Sequence, residues 1–160
     1  MALANNGFIY TSPHTQGHLR SVLNSIKSAL DSIFTTAGEV EAVFSSTSVV
    51  GQPVYITATG EAALAENDNT AHAVVAGIVS TAAAAGATGA FITNGHVSAE
   101  SWTTVLGSAD LTPGVIYFLG ATAGTITATA PTATGTVVRL GVALTARVLS
   151  VQIEPGIFLA

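Results

Sequence analysis

The chain has no cysteine, so neither a disulfide framework nor a thiolate metal site is open to it. Charge is almost as scarce. Asp, Glu, Lys and Arg together make up 8% of the 160 residues, against about a quarter in an ordinary soluble domain. Only four residues are Lys or Arg, and the net charge is −5. No basic stripe exists to neutralise phosphates, which argues against nucleic acid as a partner. No apolar run approaches the ~18 residues of a membrane span. The first residues lack the basic start and long apolar stretch of a secretion signal. The expectation is a protein made in a cytoplasm and used there or in a released particle, with no membrane partner.

What remains is 49% apolar, and the surface must be covered largely by Ser, Thr, Ala and Gly. Such a surface is easy to desolvate, because few ions lose their hydration when a partner covers it. It suits a subunit that lives inside an assembly. The plainer reading is a stable monomer, secreted or thermophilic.

Three segments follow from the pattern: an arm over residues 1–14, a helix over 15–38 and a β domain over 39–160. In the arm, the turn-prone Asn5-Asn6-Gly7 precedes an apolar tag, Phe8-Ile9-Tyr10, and Pro13 closes the segment. Such a tag either tucks under its own domain or adds itself to the edge of a partner's sheet. Residues 15–36 are the one long helical pattern. Leu19, Leu23, Ile26, Leu30 and Ile33 recur at steps of four and three, a heptad-type seam. Thr15 serves as N-cap and Gly38 lies just past the end. Leu at one seam position with mostly Ile at the other favours trimers or tetramers, yet about two heptads are too short for a stable isolated coil. The stripe therefore packs on the chain's own β domain or sits at a trimer axis.

From about residue 40 the period shortens to two. Val40, Ala42 and Phe44 begin the alternation, Val54-Tyr55-Ile56-Thr57 is a strong strand, and Ala62 to Ala65 returns after a turn at Gly60-Glu61. Glu66-Asn67-Asp68-Asn69 reads as a solvated loop, and His72 to Val79 as a second strong strand. Asn94-Gly95, between Phe91-Ile92-Thr93 and His96-Val97-Ser98, is the strongest hairpin signal in the chain. Trp102, Val105 and Leu106 are expected to cover one end of the fold. The last third holds the runs Gly114 to Leu119, Gly124 to Thr127, Val137 to Leu144 and Leu149 to Ile153, separated by turns. The fold class expected is mainly β: a compact barrel or sandwich with one N-terminal helix and an extended arm.

Reactive groups are few. His14 and His18 are four apart but have no acidic residue between them and too few further ligands for a metal. His72 and His96 sit at expected strand starts and read as turn hydrogen-bond donors. No serine lies in a Gly-x-Ser-x-Gly elbow; the nearest approach is Gly107-Ser108. Glu61, Glu66, Asp68, Glu100 and Asp110 could supply paired carboxylates, but all lie in or beside expected turns, where acids sit for solubility. The loop Glu66 to Asn69 lacks the spacing and glycine of an EF-hand. No catalytic residue, metal site or cofactor is assigned, and the chain is not read as an enzyme.

Residues 51–160 resemble a β module that recurs in virion proteins of tailed bacteriophages. The first half of the pattern is Gly51-Gln52-Pro53-Val54-Tyr55-Ile56, Gly60, Ala63-Leu64-Ala65, Val75-Ala76-Gly77-Ile78-Val79, Ala85-Gly86 and Asn94-Gly95-His96-Val97. It is similar to the small barrels of head decoration, or cement, proteins. The second half is Tyr117-Phe118-Leu119, Gly124-Thr125-Ile126-Thr127, Pro131 and Gly141-Val142-Ala143-Leu144, an ending similar to those of decoration, head-fibre and tail-fibre modules. The resemblance implies a non-enzymatic homotrimer on the capsid surface of a virion. Its partner would be the major capsid protein, and Phe8, Ile9 and Tyr10 would be the capsid-contacting anchors. The helix over 15–36 departs from the smallest decoration proteins and keeps a trimeric fibre or baseplate adaptor as the alternative. A carbohydrate-binding module is a third reading, for which Tyr10, Tyr55, Trp102 and Tyr117 are the aromatic candidates.

Overall fold

The structure, a computed structural model, describes residues 21–26, 38–132 and 134–159. The chain divides into two units, residues 1–35 and 36–160. In the first, residues 21–26 are helical, as the heptad pattern requires, and all six are exposed. The seam positions Leu23 and Ile26 are among them. Seam residues Leu19, Leu30 and Ile33 lie outside the described residues, as do the arm residues Phe8, Ile9 and Tyr10.

The second unit is built from twelve short strands. A first sheet takes β1 (Glu39–Val43), β2 (Pro53–Ile56), β3 (Ala62–Leu64), β4 (Gly77–Thr81) and β5 (Thr88–Ile92), in the order β1-β5-β4-β2-β3. A second takes β6 (Asn94–Ser98), β7 (Ile116–Leu119), β8 (Ile126–Thr127), β10 (Arg139–Ala143) and β11 (Val148–Gln152), in the order β6-β11-β10-β7-β8. The remaining strands, β9 (Gly135–Val137) and β12 (Ile157–Leu159), form a two-stranded ribbon. Every strand pair is antiparallel. The mainly β expectation holds. No sheet closes on itself, so of the two forms expected the barrel is not what forms.

Both large sheets feed one core. Ile78 and Ile92 enter it from the first sheet, and Val97, Tyr117, Leu140 and Leu149 from the second. The first sheet also buries its other face, where Phe44, Val54, Val79 and Phe91 form a smaller cluster. That explains why Gly77-Ile78-Val79 and Gly89-Ala90-Phe91-Ile92 are buried without alternation, since a strand covered on both faces reads as a continuous apolar run. In β11, by contrast, Leu149 and Val151 are buried and their neighbours are not.

Trp102 is fully buried and belongs to the main core, as does Val105, and Leu106 packs against it. Trp102 leads into a one-turn helix, Thr103–Leu106, closed by Gly107 at φ +78°. Its indole Nε1 donates to the Arg147 carbonyl at 3.2 Å. The ring lies against Gly51, where φ is +95° and an added Cβ would stand 2.6 Å from Trp102 Cζ3. Glycine is needed there for both reasons.

Several local expectations are corrected. Asn94-Gly95 is no hairpin turn: the chain runs from β5 through Thr93 directly into β6, and the two strands belong to different sheets. Asn94 and Gly95 pair with Gln152 and Val151, and Gly95, at φ +114°, takes the bend between the layers. Long-range pairing with β11 overrides the local turn preference. The strand expected over His72 to Val79 begins only at Gly77. Before it, Asn69 captures the backbone: its Oδ1 accepts from Ala71 N, and its carbonyl accepts from His72 N and Ala73 N. That local turn competes with the ladder. The run Val137 to Leu144 is split at Val138 between the ribbon and the second sheet. Strand β12 was not anticipated at all, although Pro155-Gly156 followed by Ile157-Phe158-Leu159 carries a legible turn and strand signal.

Candidate interaction surface

A groove of about 520 Å³ lies beside the ribbon. Its apolar lining includes Val74, Val75, Ile153 and Phe158, with Thr70 and Glu154 among its polar members. Three pieces of chain build it. The ribbon supplies Thr136 and Phe158. The connection from β11 to β12 supplies Ile153, Glu154, Pro155 and Gly156. Gly156 permits the close approach, because a Cβ there would meet Thr136 Cγ2 at 2.5 Å. The loop between β3 and β4 supplies Val74 and Val75.

That loop is held by polar contacts. The expected solvated turn at Glu66 to Asn69 is in part buried: Asn67 is 6% exposed. Its Nδ2 donates to the Leu119 carbonyl at 2.9 Å, its N–H to the Gly120 carbonyl at 3.0 Å, and its own carbonyl accepts from Thr136 N at 2.8 Å. One asparagine thus ties the loop to the end of β7 and to the ribbon. Further along, His72 stacks on Tyr55 with ring centroids 4.6 Å apart and 17° between planes. Its Nδ1 lies 2.6 Å from Glu66 Oε1. His72 is therefore a loop clip and not a strand-start residue.

The groove margin is apolar and exposed. Val74 and Phe158, which line the groove, are 72% and 63% exposed, and Ile157, on the opposite face of β12 from Phe158, is 66% exposed. The one acid in the lining, Glu154, is paired with Arg139, which leaves the margin without an unopposed charge there. Exposed large apolar side chains grouped at a concavity mark an interaction site more than scattered ones do.

The other sequence candidates are dispersed. Asp110 pairs with Arg147 at 3.1 Å, Glu61 accepts from Thr59, and Glu66 is taken by His72. Among the described residues no three His, Asp or Glu side chains gather as metal ligands. Ser108 donates to the Asp110 carbonyl in an exposed loop. Of the aromatic candidates, Trp102 and Tyr117 are buried, and the Tyr117 hydroxyl accepts from Thr112 N at 2.9 Å. Tyr55 is half-buried under His72, and Tyr10 lies outside the described residues. These three described aromatics form no open platform on which a sugar ring would stack.

Among known proteins, no family model and no curated sequence matches the chain.

Proposed function

We propose that the chain is a structural virion protein that binds the outside of a phage capsid and holds neighbouring major-capsid subunits together, without an enzymatic centre. The observation that supports an adhesive role is the apolar groove with its exposed lining residues Val74 and Phe158 on a molecule with only 8% charged residues. Covering such a surface releases water at little cost in ionic hydration. The virion setting rests on the likeness of the glycine and strand pattern over residues 51–160 to phage decoration modules. In this reading several copies engage one lattice, so that each later contact is intramolecular and a weak single contact suffices. Residues Phe8, Ile9 and Tyr10 are the proposed anchors on the shell, and a homotrimer is the proposed state.

The test is addition of the purified protein to shells that lack it. Intact protein should decorate the shells in many copies, and a chain lacking residues 1–13 should lose binding while keeping the circular dichroism of its β unit. Unchanged decoration by the truncated chain would remove the arm from the proposal. The absence of any binding to shells by the intact chain would remove the cement role.

A trimeric head-fibre, tail-fibre or baseplate adaptor is the second reading. It is favoured by helical residues 21–26, which expose the seam residues Leu23 and Ile26. Electron microscopy of native particles separates the two, since an adaptor gives a few copies at defined sites.

A further inference from the structure

We infer that the edge of β12 turned away from β9 is a self-association site, where two copies pair their β12 strands antiparallel about a two-fold axis at Phe158. The argument starts from hydrogen-bond parity in the ribbon. Phe158 stands opposite Thr136, with Ile157 opposite Val137 and Leu159 opposite Gly135. Thr136 N donates to the Asn67 carbonyl, on the side away from β12. In an antiparallel ladder both backbone groups of a residue point the same way, and hydrogen-bonded pairs alternate with non-hydrogen-bonded ones. Thr136 and Phe158 are therefore a non-hydrogen-bonded pair. The N–H and C=O of Phe158 both point outward, and neither has a backbone partner among the described residues. Two such strands related by a two-fold exchange those two bonds, residue 158 to residue 158, and the ribbon extends to four strands. The same patch then serves both copies, as an isologous contact demands.

Charge selects the second copy as occupant. Residues 36–160 hold eight acids against two arginines, a net of −6, so a contact of this unit with itself that includes its charged residues tends to bring like charges together. The edge strand β1, which carries Glu39 and Glu41, would do so if paired with itself. Strand β12 has no charged residue, and the nearest acid, Glu154, is already held by Arg139. Of the usual protections of an exposed edge, strand β12 has only shortness, at three residues, with no lysine, bulge or internal proline. Its side chains Ile157 and Phe158 are exposed, and pairing would cover them in part with cross-strand neighbours. The inference concerns the purified protein alone and does not depend on the capsid reading.

The absence of cysteine makes the test direct. In the full chain, Phe158→Cys places two thiols across a hydrogen-bonded pair with Cα atoms about 5.5 Å apart, inside disulfide range. Ile157→Cys places its two thiols about 8 Å apart, because residue 157 faces residue 159 of the other copy, outside that range. Under mild oxidation Phe158→Cys should link into a dimer on the order of tenfold faster than Ile157→Cys. An equimolar mixture of Ile157→Cys and Leu159→Cys chains should give the mixed dimer in preference to either homodimer. Phe158→Pro removes the outward N–H together with the phenyl ring and leaves the bonds to β9, so it should abolish any mass increase with concentration in sedimentation equilibrium that Leu23→Asp with Ile26→Asp and Phe158→Ala each leave in place. Linking of Phe158→Cys no faster than Ile157→Cys, or none at all, overturns the proposal.

Discussion

Replacing Trp102 by alanine should be the most damaging single change outside the backbone-constrained glycines. The side chain is fully buried and packs against the Gly51 turn of one sheet region while bonding to the Arg147 carbonyl beside β11. Truncation to alanine removes the buried ring and leaves a cavity, a loss of about 3–5 kcal/mol. The lost hydrogen bond adds little, because the Arg147 carbonyl also accepts from Ala99 N at 3.1 Å and is not orphaned. Against a domain stability of about 5–15 kcal/mol, the change removes a third or more of the total in most of that range. With a urea slope of about 2 kcal/mol per molar, the midpoint should fall by roughly 2 M. Trp102→Phe keeps a buried ring and should cost about half as much. The assay is urea unfolding followed by circular dichroism, since the chain's one tryptophan is itself removed. A loss below about 1 kcal/mol for Trp102→Ala would place the side chain at the surface and refute the burial argument.

Gly51→Ala should lower stability by at least about 1–2 kcal/mol, the cost of a left-handed backbone for a residue with a Cβ, with more from the contact with Trp102; thermal unfolding measures it. Asn67→Ala strips a donor from the buried Leu119 carbonyl and should cost about 1–3 kcal/mol, with faster amide exchange along the loop to Val75. Asn67→Asp should be no better, because a carboxylate cannot donate to that carbonyl. Leu23→Asp with Ile26→Asp should lower the mass measured by light scattering if the exposed seam joins copies. An unchanged oligomer with this double substitution would put the interface elsewhere.

The parts of the fold legible beforehand are those in which local and long-range preferences agree. The β2–β3 hairpin was readable because its two strands are adjacent in sequence and pair with each other, Val54 with Leu64 and Ile56 with Ala62. The helical pattern through Leu23 and Ile26 was readable from its period, and β11 from its alternation. The errors fall where another element competes for the same residues. Asn94-Gly95 has the composition of a tight turn, yet β11 offers a full ladder from Asn94 to Ser98, and the ladder prevails. Val74 and Val75 have the branching of strand residues, yet Asn69 turns the backbone before a ladder forms.

The candidate surface was the least accessible part. Its lining joins Val74 to Phe158, more than eighty positions apart, and no local pattern links them. Composition dictated few charges and no thiol chemistry, and the two-residue period with its turns dictated a mainly β chain, because side-chain chemistry and short-range pattern are local properties. Which face of each strand is covered, that the sheets stay open, and that Phe158 turns its N–H and C=O away from β9 at an uncharged edge are consequences of pairing between distant segments. Register across a ladder is a relation between two strands, and neither strand encodes it alone.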